Sequence, residues 1–183
     1  MRTLRILILN IDYPFGDEAY YALKHLLKLF GNNVKGIYFL GKAAGLTGHV
    51  GDVAAPRNVY DEVSDLYFAI NNTLKQRRST DVAAVHGTVL NNRSTLEHYK
   101  KQNIGIIEME SGPFLKAIYD YTTPNPVHSS TKIKLRTPCK LGLIYYFSDT
   151  PLKGATLGAG PLATKGITGT YSCAIAIANA IFE

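Results

Sequence analysis

The chain has 183 residues, 46% hydrophobic and 19% charged, the balance of one globular domain long enough to bury a core. Its net charge of +6 raises a nucleic-acid partner, but the basic residues are scattered, with Lys75, Arg77 and Arg78 the densest cluster. Cys139 and Cys173 stand far apart, without a CxxC or a nearby His pair, which argues against a metal or redox centre. No apolar run reaches membrane-spanning length and no secretory leader is legible, so residues 1–183 are expected to form one cytoplasmic domain without nucleic-acid or membrane partners.

Residues 4–11 are a Leu- and Ile-rich run that predicts a buried strand, broken by Pro14-Phe15-Gly16. Asp17 has the chemistry of an N-cap for a helix over 18–30, in which Ala19, Ala22, Leu23, Leu26, Leu27 and Phe30 share one face. Gly31-Asn32-Asn33 closes that helix and residues 34–40 predict the next strand, completing a strand–helix–strand unit of a parallel sheet. Gly41-Lys42-Ala43-Ala44-Gly45-Leu46 follows directly, where small residues either let a ligand approach the backbone or make a tight turn.

Residues 47–60 read as irregular or extended and 61–76 as moderately helical. A strand over 80–90 ends in His86-Gly87-Thr88, a short helix covers 95–102, and a strand covers 104–109. Residues 111–121 return to helical spacing, and 122–130, with Pro124, Pro126 and His128, predict a surface loop able to act as a lid. Residues 141–147 are a strongly apolar strand, 150–169 lack periodicity, and a helix runs from about 171 to 182. The pattern predicts an α/β fold, a central mostly parallel or mixed sheet flanked by helices.

The chemistry concentrates at two predicted strand ends. Ile107-Glu108-Met109-Glu110 ends one and Ser148-Asp149 another, and carboxylates at the carboxyl ends of α/β strands are placed to face one ligand crevice. Glu110 suits a ribose diol, because a carboxylate accepts from two neighbouring hydroxyls; it also suits the N-terminus of a helix. Glu108 shares a strand face with Glu110, while Met109 points the other way, to pack under a sugar or to fill core space. Asp149 is either a turn residue before Pro151 or an acid whose proton reaches a leaving-group nitrogen. Among the histidines, His86 at a strand end is the best accessory candidate.

These motifs resemble the purine nucleoside phosphorylase and nucleosidase superfamily. Gly41-Lys42-Ala43-Ala44-Gly45-Leu46 with Gly51-Asp52-Val53 is similar to its "GSAGGL…GD" segment, Ile107-Glu108-Met109-Glu110 to its "VEME" and Ser148-Asp149 to its "SD", in family order. The resemblance implies that Glu110, with Met109 and Glu108, holds the ribose; that Ser148 and Ile107 lie at the base; and that Asp149 protonates the purine as the N-glycosidic bond breaks. Phosphate attacks in a phosphorylase and water in a nucleosidase, so phosphate is a possible co-substrate and no other cofactor or metal is implied. Residues 4–11 resemble a later strand of the family pattern, so its N-terminal strand and phosphate loop are expected to be missing from this sequence. Phe39 stands at the position preceding the glycine run where phosphorylases of the hexameric type carry an arginine, so Gly41, Lys42 and Ala43 are the remaining candidate for a phosphate or ligand loop. A truncated nucleoside phosphorylase-like fold with a homo-oligomeric assembly is therefore expected, either cleaving a purine-type nucleoside or surviving as a noncatalytic ligand-binding or assembly protein.

Overall fold

A computed structural model describes residues 6–12, 14–76, 78–87, 92–124, 131–154 and 164–182. In chain order the described elements are α1 (Glu18–Phe30), β1 (Gly36–Gly45), β2 (Val53–Ala54), β3 (Asn58–Asp61), β4 (Leu66–Ala69) and β5 (Asp81–Ala84). There follow α2 (Arg93–Lys101), β6 (Ile104–Glu108), α3 (Ser111–Thr122), β7 (Lys132–Lys134), β8 (Lys140–Asp149) and α4 (Thr164–Phe182). The strands form one mixed sheet in the order β2-β8-β1-β6-β5-β3-β4-β7, so the α/β architecture expected from the sequence is present.

Strand β8 shows how the period-2 pattern builds the layers. Leu141, Leu143, Tyr145 and Phe147 face a core closed by Leu23 and Leu27 of α1 and Leu115 and Ile118 of α3. Ile144 and Tyr146 face the other way, onto Cys173, Ala176 and Ile177 of α4. A strand segment covered on both faces is apolar throughout, as residues 141–147 are. A third cluster packs Leu96 and Tyr99 of α2 on Ile104 and Ile107 of β6. Among the described residues no helix is long and apolar enough to cross a membrane.

Five local expectations change. Residues 6–12 form no strand, and Leu7 and Leu9 are 83% and 58% exposed. Apolarity alone presumes a neighbouring edge; β1 pairs with β8 along its length and with β6 at its end, and no described strand lies beside residues 6–12. The glycine run after the second predicted strand is itself strand, since β1 continues to Gly45. Its glycines make room for aromatic rings: a Cβ on Gly41 would lie 2.4 Å from the Tyr145 ring, and one on Gly45 2.4 Å from that of Phe147.

Residues 61–76 are not helical. They close a hairpin between β3 and β4, with Asp65 in the left-handed region, and then run on to Asn72. The Asn72 side chain takes the place of a strand, donating to the carbonyls of Pro56 and Leu143 and accepting from the N–H groups of Leu143 and Leu74. Finally, Asp17 does not cap α1 with its side chain, being already in helical conformation, and α4 begins at Thr164, ahead of the expected start. The proposed lid falls largely on residues 125–130, outside the described residues, as do Thr88 and residues 155–163.

Candidate functional site

Strand β6 is buried along its whole length and ends at Glu108; the chain then turns through Met109 and Glu110 into α3. The strand alternation therefore stops before Glu110, and the two glutamates do different work. Glu108 is 6% exposed, with Oε2 accepting from the N–H groups of Glu110 and Ser111, each at 2.9 Å, and Oε1 from Ser111 Oγ at 2.5 Å. It satisfies two of the free N–H groups at the start of α3, in the favourable field of the helix N-terminus. The expectation of Glu108 as a ribose ligand is corrected on this ground: its oxygens are spent inside the protein. Burial pushes its carboxyl up to about 7, opposed by the Ser111 hydroxyl and reinforced by the neighbouring Glu110 charge.

Glu110 is half-buried and held more loosely. Its Oε1 accepts from Gly16 N at 3.4 Å and its Oε2 from Met109 N at 3.3 Å, both at the long end of hydrogen bonding. Gly16 belongs to the turn that opens α1, so the start of that helix is drawn over the carboxyl end of β6.

Strands β3, β5 and β6 are parallel, and their carboxyl ends converge. Asp61 ends β3, His86 follows β5, and Met109 follows β6; with Gly16 and Asp17 these residues line a cavity of about 70 Å3. Val63, Val85 and Pro113 supply apolar wall. His86 is exposed, and its main-chain N–H donates to Glu62 Oε2 at 2.9 Å. Asp61 is the residue that sequence reading missed, because 61–76 was taken for helix. A signal was present: Asn58-Val59-Tyr60-Asp61 and Leu66-Tyr67-Phe68-Ala69 are two short aromatic and β-branched runs separated by four residues, a hairpin pattern.

The other predicted end is built differently. Asp149 closes β8, is 6% exposed, and receives a hydrogen bond from Ser148 Oγ at 2.5 Å; that hydroxyl also lies 3.3 Å from the Ala43 carbonyl. Asp149 sits level with Ala44 of β1, which in turn faces Ile107 of β6. β8 runs parallel to β1 and β1 antiparallel to β6, so β6 and β8 run in opposite directions, yet their carboxyl-terminal residues lie level with one another on either side of β1. Asp149 is not among the residues lining the cavity beside Met109. Ile107 is 1% exposed, its side chain wholly in the core. Lys42 is exposed on β1, and Gly41 and Ala43 are buried strand residues beside Tyr145 and Phe147 of β8, so the expected ligand loop is corrected to a strand segment.

Beyond β1, Asp52 of the Gly51-Asp52 pair has a structural use. It accepts from His49 N at 3.0 Å and pairs with Arg78 at 3.1 Å, tying the loop after the glycine run to the segment before β5. Among the described residues no group of His, Cys, Asp and Glu is arranged to hold a metal ion.

Comparison with solved structures reproduces this fold. Futalosine hydrolase from Helicobacter pylori superposes with a TM-score of 0.67 at 10% identity, over 92% of this chain and 79% of that one. The 5'-methylthioadenosine/S-adenosyl homocysteine nucleosidase of Campylobacter jejuni gives 0.63 at 11% identity, over 90% and 76%. Uridine phosphorylase from Schistosoma mansoni, in complex with thymidine, gives 0.59 at 12%, over 91% and 68%. No curated protein matches the sequence. The chain has the nucleoside phosphorylase/nucleosidase fold, and it belongs to the family of unknown function DUF6909, whose model matches residues 1–183.

Proposed function

We propose that the protein binds a nucleoside or related ribosyl compound at the carboxyl end of β6 and cleaves its N-glycosidic bond. The observation that carries this reading is the Glu110 carboxylate, half-buried on the turn after β6 and engaged, among the described residues, by two long main-chain hydrogen bonds. It keeps the acceptor capacity to take both hydroxyls of a ribose diol once the Gly16 N–H is displaced. Met109 offers the apolar surface beside it. The transition state of such a cleavage is an oxocarbenium-like ribosyl cation, so fixing the diol and protonating the departing base both lower the barrier. Asp149 is the acid in this reading, with Ser148 orienting its carboxyl. Attack is by phosphate or by water, and a homo-oligomer is the expected assembly.

The cavity beside Met109, about 70 Å3, holds one functional group of a ligand rather than a whole nucleoside. Ligand entry therefore requires the Gly16–Asp17 turn to move away from Glu110. That same closure favours a second reading, a noncatalytic descendant in which the turn keeps the site occupied.

The test is chromatographic detection of free base from adenosine, inosine, uridine and methylthioadenosine, with and without phosphate, alongside thermal shift. Base release abolished in Asp149→Asn is the expected result, and phosphate dependence would assign phosphorolysis. Stabilisation by a nucleoside without base release supports the noncatalytic reading. Neither stabilisation nor release with any nucleoside overturns both.

A further inference from the structure

We propose that Asp61 is a ligand-binding carboxylate, and that the crevice it lines receives an amino or hydroxyl donor of the bound compound rather than an anionic group. The proposal rests on the nucleoside reading above and adds to it a contact that neither Glu110 nor Asp149 provides.

Asp61 is only 3% exposed, yet it is half satisfied. Its Oδ2 accepts from Ser64 Oγ, while Oδ1 has no hydrogen-bond partner among the described residues. A buried acceptor left without a donor is an unfavourable arrangement that native proteins retain for a reason. The adjacent helix does not relieve it. A Cβ on Gly112 would lie 2.4 Å from Asp61 Oδ1, so α3 comes right up to the oxygen, but the N–H groups of Glu110 and Ser111 are taken by Glu108.

The same carboxylate lines the cavity where β3, β5 and β6 end, the side of an α/β sheet at which ligands bind. The volume of about 70 Å3 suits a hydroxyl or an amino group with its carbon. Around it, Val63, Val85, Met109 and Pro113 exclude water and strengthen a hydrogen bond to the carboxylate. The charges set the class of ligand. Among the described residues that line the cavity, Asp17 and Asp61 are the acidic side chains, His86 is the imidazole, and none is Lys or Arg. A phosphate or carboxylate placed there would face two carboxylates; a donor would complete the coordination of Asp61 Oδ1.

Calorimetric titration of adenosine and uridine into wild type, Asp61→Asn, Val63→Trp and Glu110→Ala tests this, with melting temperatures recorded for each. Val63 is 59% exposed, so the tryptophan plugs the crevice mouth without entering the core, and it decides the matter if Asp61→Asn fails to fold. The expected result is tenfold or greater loss of nucleoside affinity in both Asp61→Asn and Val63→Trp, with the melting temperature of Val63→Trp unchanged. A purely structural Asp61 would shift its melting temperature and leave affinity alone. Undiminished affinity in folded Asp61→Asn or in Val63→Trp, together with loss in Glu110→Ala, overturns this proposal and leaves the nucleoside reading standing. Wild type that binds neither nucleoside overturns both.

Discussion

The carboxyl ends of β6 and β8 each carry acidic residues, and the two ends use them in opposite ways. At β6 a buried carboxylate, Glu108, organises the start of a helix, and the next one, Glu110, is presented on the turn beside Met109, which lines a crevice shared with β3 and β5. At β8 only a single 3-10 turn, Pro151–Lys153, follows among the described residues, and Asp149 is held by the hydroxyl of its own neighbour, Ser148, next to the main chain of β1. The lesson is that a carboxylate at a strand end acquires its role from strand direction. Parallel β3, β5 and β6 pool their ends, whereas β8 runs antiparallel to β6 and brings Asp149 level with Ile107 only across the intervening β1.

The largest expected effect tests the β8 end. Asp149→Asn should lower the rate of base release by roughly 10²–10⁴-fold, the usual span for a general acid, with nucleoside affinity little changed. Undiminished turnover would remove the β8 end from the chemistry and leave the β6 end alone as the site.

The next effect separates the two glutamates of the β6 end. The Glu108 carboxyl stands at about 7 in the folded protein against an ordinary 4.5, so the folded chain holds a proton that the unfolded chain has released. Stability contributed by this group is therefore full below about 4.5 and is lost as pH rises through about 7, a change on the order of 3 kcal/mol. Denaturation of Glu108→Gln across that window should show a flattened profile relative to wild type. An unaltered slope would mean that Glu108 is not the titrating group.

Glu110→Ala should weaken nucleoside binding by roughly 10–100-fold, the loss of charge-assisted hydrogen bonds, and barely affect a 2′,3′-dideoxynucleoside. Equal losses for both ligands would end the diol clamp. The smallest effect belongs to Lys42→Gln. An exposed side chain on β1 should change stability by no more than about 0.5 kcal/mol, and base release without phosphate should be untouched. A raised phosphate requirement in that variant alone would give the β1–β8 region an anion-binding role.

Much of the fold was legible because its elements carry strong local patterns. Helix α1 spans the predicted 18–30, β6 and α3 begin at the predicted positions, and the aromatic-rich run of β8 is sheet, extended by one residue before and two after. The failures share a cause. The described part of the first run, residues 6–11, is as apolar as β8, but a strand also needs an edge to pair with, and edges are not written in the run itself. The hairpin of β3 and β4 was read as helix because each strand is only four residues long, too short for periodicity to discriminate. That misreading concealed Asp61.

At the site, the residue types of Ile107-Glu108-Met109-Glu110 and Ser148-Asp149, and their places at strand ends, were determined by sequence alone, since apolar runs stop where charge begins. Which glutamate is free and which is spent depended on where β6 ends and α3 starts, a matter of two main-chain N–H groups that a one-dimensional pattern does not contain. Only the tertiary structure decided which strand ends meet, because pairing direction is settled between segments distant in the chain. It joined Asp61, His86 and Met109 at one crevice and set Asp149 level with Ile107, across β1 from the end of β6.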